Sequence, residues 1–284
     1  MAHADQSYLE NLFAGAKPHD VITLPAGEFR AKVKIQTPYL TIRGAGMYQT
    51  KIIFDDYAEK PDENGVALNT FRTWTAAVVA DHVTMEDLAI ENDAGHPEVK
   101  GQEVALSVYA DDFTMRRSRL TSTQDTLFLG PLPKDLIARY DGFLTDDLRQ
   151  DRLCSQYFED CLIEGTVDFI FGCGHSVFHH CEIRSVYDVR NLGYAAAPAH
   201  ALEQTEGFVF DRCRFTADAG VSPATIYLAR PWRDYGLCVF TDCTYGSHIT
   251  PEGFDKWNDT ERDRTARFLE HPPVPGRVPW AKGF

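Results

Sequence analysis

"FEDCLI" (158–163) recurs as "FHHCEI" (178–183), "FDRCRF" (210–215) and "FTDCTY" (240–245), and more loosely as "MEDLAI" (85–90) and "MRRSRL" (115–120). The shared pattern is a large apolar residue, any residue, a polar residue, a small or apolar residue, any residue, and a closing apolar residue. Successive copies start 30, 43, 20, 32 and 30 residues apart, and spacings of this size mark a repeat architecture. Each copy alternates with period two, which predicts a short strand with one buried face. Short strands separated by Gly, Asp and Asn, with little helical periodicity, favour a β-solenoid. The segment "YLTIRGAG" (39–46) reads as an earlier, weaker copy. The expected fold class is all-β, one domain over residues 1–284.

Working outward, the 43-residue interval holds "PLPKDLIARYDGFLTDDLRQDR" (131–152), too polar and irregular for a strand. It is expected to be a long loop inserted into one coil, and such loops often carry function. Cys161, Cys181, Cys213 and Cys243 all take the fourth place of the hexad. They should stack as an inward ladder, about 4.8 Å apart. Stacked equivalent positions do not converge on one ion, so core packing is the expectation and no metal site is called.

The overall charge limits the partners. Lys plus Arg total 28 and Asp plus Glu total 42, a net charge of −14, which speaks against nucleic acid and anionic membranes. No apolar run reaches the roughly 18 residues of a membrane span. The first twenty residues lack a basic segment followed by an apolar one, so no signal peptide is read there. Seven cysteines without a CxxC pair suit a reducing compartment. The cytoplasm is therefore the expected location, or secretion if a leader has been removed, and a monomer is the expected state.

One residue stands out against this background. Asp168 lies inside the apolar, β-prone run "IEGTVDFIFG" (163–172), and burying a charge costs several kcal/mol or more unless it is paired. Asp168 follows Phe158 by ten residues, as Asp125 follows Met115. The two aspartates should occupy equivalent places on neighbouring coils, with Cβ atoms about 5 Å apart. Like carboxylates that close share a proton, the division that a nucleophile and an acid require. Asp188 also falls ten residues after Phe178, but in polar "VYDVRN" (186–191), and reads as a surface turn. Gln102 and Gln124 are amides suited to an oxyanion. Arg230, in "YLARPWRDYG" (227–236), suits a carboxylate, and Trp232 a sugar ring.

Taken together and in order, these motifs resemble the pectin methylesterases (pectinesterases, carbohydrate esterase family 8). The resemblance runs over nearly the whole chain: "LTIRGAGMYQTKI" (40–52), "FRTWTAAVVADHVTMEDLAIENDAG" (71–95), "GQEVAL" (101–106), "QDTLF" (124–128), "GTVDFIFG" (165–172), "LARPW" (228–232) and "ITPEGFDKW" (249–257). It implies a right-handed parallel β-helix that needs neither metal nor organic cofactor and acts on methyl-esterified galacturonan. It also implies roles: Asp168 nucleophile, Asp125 general acid/base, Gln102 and Gln124 oxyanion amides, Arg230 the partner of the nucleophile. Trp232, Thr75 and Phe169 are implied as substrate contacts. The chain departs from the family pattern at Ala31, at Ala229 and over "YAAAPAH" (194–200), and its loop at 131–152 is longer than in many members.

Other readings are a β-helix esterase or thioesterase-like relative with a non-pectin substrate, and a non-catalytic glycan-binding β-helix. A polysaccharide lyase is disfavoured by the lack of clustered Ca²⁺ carboxylates. The net negative charge leads us to expect weak binding of demethylated product and preference for highly methylated or short substrates.

Overall fold

The hexads stack residue for residue. Met85 stands opposite Met115, Met115 opposite Phe158, Phe158 opposite Phe178, Phe178 opposite Phe210, and Phe210 opposite Phe240, each pair in adjacent parallel strands. The sixth positions do the same on a second sheet, with Leu120 opposite Ile163, Ile163 opposite Ile183, and Ile183 opposite Phe215. The weak early copy joins the stack, but Ile42 rather than Tyr39 takes its first place, opposite Met85. The structure, a computed structural model, describes residues 2–95 and 101–283.

One expectation is corrected: a hexad is a corner between two strands rather than one strand. "FEDCLI" ends the strand Ser155–Glu159, turns at Asp160 and Cys161, and opens the strand Leu162–Gly165. The third residue makes the bend in all six copies. Asp87, Arg117, Asp160, His180, Arg212 and Asp242 all have φ between 45° and 58°, the left-handed region that costs a non-glycine residue about 1–2 kcal/mol. The apolar residues on either side of each bend point inward, so packing offsets the strain. That inward pair, one on each strand, is what imitates the alternation of a single strand.

Among the described residues the strands form three sheets of ten, eight and seven strands. Each coil crosses the ten-stranded, then the eight-stranded, then the seven-stranded sheet, and neighbours in every sheet are parallel. This is the expected right-handed parallel β-helix. Its core is a stack of side chains. The rings of Phe158, Phe178, Phe210 and Phe240 follow one another at 4.8–4.9 Å. Beside them runs the cysteine ladder. The thiols of Cys161, Cys181, Cys213 and Cys243 donate to the carbonyls of Met115, Phe158, Phe178 and Phe210 one coil back, at 3.4, 3.5, 3.2 and 3.2 Å. Burial pushes the thiols of Cys161, Cys181 and Cys213 up, so they behave as small apolar groups.

The helix Ala2–Ala14 packs against the first coil, sending Leu9 and Phe13 into the core. Among the described residues no helix is long and apolar enough to cross a membrane. The inserted segment holds a short helix, Lys134–Arg139, and a 3₁₀ turn, Asp146–Leu148. Its Leu132, Leu136, Leu144 and Leu148 join Tyr109, Phe128 and Phe171 in a second apolar cluster, separate from the main core. Phe128 alternates with Leu127 and Leu129 of the core, so the insertion covers the outer face of the seven-stranded sheet.

His200 ties the late coils together. Its Nδ1 accepts the N–H of Leu237 at 3.1 Å and its Nε2 donates to the Gly174 carbonyl at 3.0 Å, an arrangement only the neutral ring can make. Burial lowers its pKa to about 4. A group whose folded pKa is depressed costs stability once the unfolded chain begins to take up protons. The contribution is nil above about pH 6.5 and grows to about 3 kcal/mol as the pH falls to 4. Urea unfolding at pH 7 and pH 4.5 should therefore show a smaller acid loss in His200→Gln than in the wild type. Equal losses would mean that His200 does not titrate on unfolding.

Candidate active site

The outer face of the seven-stranded sheet carries a cleft of about 540 Å³, a size that suits a small ligand or a few sugar rings. Its chemistry begins with the strand Val167–Gly172. Regular alternation would send Asp168 the same way as Ile170, into the core. Instead Asp168 has φ +52°, which breaks the alternation. Phe169 and Ile170 both turn into the core, while Asp168 and Phe171 line the cleft. Two glycines permit this path. A Cβ at Gly165 would overlap the Cβ of Phe169, and one at Gly172, where φ is +131°, would overlap the Leu129 carbonyl. Asp125 repeats the device one coil earlier, with φ +65°. Leu127 pairs with Ile170, so the same offset places Asp125 opposite Asp168, and the Asp125 N–H donates to the Val167 carbonyl at 3.1 Å.

Both carboxylates are buried, at 8% and 7% exposure, and only one is neutralised. Arg230 donates to Asp168 through Nε at 2.8 Å and Nη2 at 2.6 Å, the bidentate geometry a guanidinium makes best. The guanidinium is itself held between the rings of Tyr194 at 3.8 Å and Trp257 at 4.0 Å. Burial raises the Asp168 carboxyl above its ordinary value, a rise that the hydrogen bonds and charge of Arg230 limit without cancelling. Asp125 has no such partner. Burial, and then the neighbouring Asp168 charge, push it well above the usual carboxylate range. The pair therefore divides into an ionised Asp168 and a protonated Asp125.

Gln102 and Gln124 are half-buried and line the same cleft. Arg190 Nη1 donates to the Gln124 side-chain oxygen at 3.3 Å, and the Gln124 amide is hydrogen-bonded to the neighbouring Asp125 carboxyl. Trp232 lies edge-on to Phe171 at 5.8 Å, with Phe71 stacked behind it at 6.4 Å. Of the eight residues singled out from the sequence, six meet here: Asp125, Asp168, Gln102, Gln124, Arg230 and Trp232.

Phe169 and Thr75 do not. Phe169 is fully buried in the main core, because the left-handed turn at Asp168 sends it inward, and Phe171 supplies the phenyl ring of the cleft. Thr75 is also fully buried, and its hydroxyl donates to the Glu91 carbonyl at 2.9 Å. Thr70 is the threonine that lines the cleft. Asp188 starts the surface turn expected of it: its carbonyl accepts the Asn191 N–H at 2.9 Å and its Oδ1 the Arg190 N–H at 2.8 Å, and its side chain also pairs with the Arg190 guanidinium, which reaches Gln124. Of the departures from the family pattern, Ala31 and Ala229 are buried, and Ala197 of the 194–200 segment lines the cleft.

Several cleft residues had no sequence assignment. Trp257 closes the late motif "ITPEGFDKW", and its stacking on Arg230 depends on a contact between distant coils. Arg233, three residues beyond Arg230, binds Asp135 of the insertion at 2.7 Å. Asp135, Leu136, Arg139 and Tyr140 form one wall of the cleft from the inserted helix and the residue after it. The four leucines at 132, 136, 144 and 148 were the available signal that this segment packs.

Fold and site together define a parallel β-helix bearing an aspartate pair of unequal protonation, flanked by amides and aromatic rings, on its outer face. The pectinesterase family model matches residues 7–131 and 145–274. The chain is 32% identical over 278 residues to pectinesterase QRT1 of Arabidopsis thaliana, covering 92% of this chain and 64% of that protein. It is 29% identical over 258 residues to putative pectinesterase/pectinesterase inhibitor 43 of Arabidopsis thaliana, covering 88% of this chain but 33% of that protein. The structure of pectin methylesterase from carrot superposes with a TM-score of 0.78 at 25% identity, over 96% of this chain and 83% of that one. The chain belongs to the pectinesterase family.

Proposed function

We propose that this protein hydrolyses the C6 methyl esters of galacturonate units in pectin or in methylated oligogalacturonides. The observation that carries this reading is the buried Asp168, held by Arg230 at 2.8 and 2.6 Å beside a second buried carboxyl without a counter-ion, in a member of this family. An ionised Asp168 oxygen attacks the ester carbonyl. The negative charge on the tetrahedral oxygen is met by the amide N–H groups of Gln102 and Gln124. Collapse expels the methoxy group, which takes the Asp125 proton and leaves as methanol. Water then attacks the acyl carbon, gives a proton to Asp125, and frees Asp168 and the galacturonate carboxyl. Trp232, backed by the buried Phe71, offers a flat apolar face to a sugar ring.

This assignment fixes the sign of the pH dependence. Asp168 works ionised, so the rate rises as the pH climbs through its pKa. Asp125 works protonated, so the rate falls again above its raised pKa. The expected profile of kcat is a bell whose descending limb disappears in Asp125→Asn, with a loss of about 10²–10⁴-fold at the optimum. A descending limb that persists in that variant would assign it to another group.

Activity is tested by methanol release from highly methylated pectin and methylated oligogalacturonides, with acid titrated at the same time. One acid equivalent per methanol is expected. Release from neither substrate would refute the proposal. The seven cysteines, none of them bridged, support a reducing compartment such as the cytoplasm. Fractionation of cells that express the protein tests that location, and recovery only from the medium would contradict it.

A further inference from the structure

The exposed turn 188–191 joins the strands Glu182–Ser185 and Gly193–Pro198. Gly193–Pro198 pairs with Val167–Gly172, which pairs with Leu127–Leu129, so the Arg190 side chain reaches back two coils to meet Gln124. Its direction is set within the turn. Asp188 Oδ1 accepts the Arg190 backbone N–H at 2.8 Å and Nε at 2.8 Å, and Oδ2 accepts Nη2 at 2.5 Å. The Asp188 side chain is itself 5% exposed. A planar guanidinium gripped along one edge cannot swivel. Its remaining nitrogen, Nη1, then points one way and donates to Gln124 Oε1 at 3.3 Å.

Gln124 has a use for such a partner. Its backbone is pinned, because its carbonyl accepts the Glu103 N–H at 3.0 Å. Its side chain still has three rotatable bonds, and the oxygen and nitrogen of its amide differ little in size. Hydrogen-bond partners alone decide which end faces where. A guanidinium carries only donors, so Arg190 selects the oxygen and turns the NH₂ group away from itself. That group has two N–H bonds. One serves the Asp125 carboxyl, to which the amide is hydrogen-bonded. The other is the donor that an oxyanion requires. An amide turned over would set its own oxygen against the developing negative charge.

We propose that Arg190 is a positioning residue for the reaction: it fixes the Gln124 amide with its N–H groups toward Asp125 and the reacting carbonyl, and Asp188 fixes Arg190. The inference rests on the ester hydrolase reading above. It adds that one oxyanion donor owes its orientation to a turn on the protein surface.

Steady-state kinetics on methylated oligogalacturonides test it. Arg190→Gln should lower kcat about tenfold, part of the roughly 10²–10³-fold that an oxyanion donor contributes. KM should stay nearly unchanged, because the contact matters in the transition state alone. The turn keeps its hydrogen bond from the Asn191 N–H to the Asp188 carbonyl. Arg190→Lys should recover part of the loss, since an ammonium also donates but lacks the fork. In a Gln124→Ala background the same Arg190→Gln change should alter kcat by less than about twofold, as coupled residues require. Arg190 also acts directly: burial raises the Asp168 carboxyl, and the Arg190 charge, after Arg230, works against that rise. A loss of that origin persists without Gln124. Equal losses with and without Gln124 would therefore overturn the proposal, as would a loss confined to KM or wild-type kcat in Arg190→Gln. NMR of the Gln124 side-chain N–H signals, assigned by their loss in Gln124→Ala, needs no turnover. They should move toward the values of exposed glutamines in Arg190→Gln, and signals that stay in place would overturn the proposal. Absence of methanol release by the wild type would count against the ester hydrolase, and the amide signals would still decide the role of Arg190.

Discussion

Asp168→Asn should lower kcat on methylated substrates by at least about 10⁴-fold, the scale on which removal of a nucleophile is felt. The substitution keeps the size and shape of the side chain and removes the charge. Asparagine can still accept from Arg230, so the clamp between Tyr194 and Trp257 has no reason to open. Substrate binding should accordingly change far less than turnover. The contrast separates the nucleophile from a carboxylate that merely orders the cleft, since loss of the latter would weaken binding and turnover together. Near wild-type turnover in Asp168→Asn would end the assignment.

Arg230→Leu carries the second large effect, and it acts on stability as well as on rate. Asp168 would keep its burial and lose its counter-ion, the guanidinium at 2.6 Å. Removing one partner of a buried ion pair costs about 3–5 kcal/mol when the other stays charged. Protonation of Asp168 relieves that cost, so its pKa should rise. The penalty is therefore present above the new pKa and falls away below it. On the rate side the ascending limb of the pH profile should move to higher pH, and kcat at neutral pH should fall with it. Urea unfolding and a pH–rate profile read the two effects separately. An unchanged ascending limb would mean that Arg230 does not hold Asp168 ionised. Arg230→Lys should rescue only part of the loss, because an ammonium cannot reproduce the two parallel hydrogen bonds or the stacking between two rings.

The sequence showed the stack but not its corners. Phe158, Phe178, Phe210 and Phe240 align in space as they align in the hexads, because identical coils place identical residues one strand spacing apart. The bend within each hexad was hidden. Its left-handed residue is Asp, Arg or His rather than Gly, and the apolar residues around it keep the period of a strand. The same conformation at Asp168 explains why Phe169 was misplaced. Period two cannot reveal the one residue at which it fails, and here that residue is the proposed nucleophile. Asp125 and Asp168 were readable because they repeat in phase with the coil. Arg190, Trp257 and Arg139 were not, since each reaches the cleft from a segment outside the repeat. Asp188 was set aside for its polar neighbours, and it does open the exposed turn at 188–191, where it holds Arg190.

Protonation of the two aspartates is the point on which the account turns. A ¹³C NMR titration of the side-chain carboxyls in the wild-type protein, assigned with Asp125→Asn and Asp168→Asn, reads it without any substrate. The account predicts that at neutral pH Asp168 is ionised and Asp125 protonated, and that Asp168→Asn lowers the pKa of Asp125 by removing the charge beside it. Two ionised carboxylates at neutral pH, or a proton on Asp168 with Asp125 charged, would contradict it.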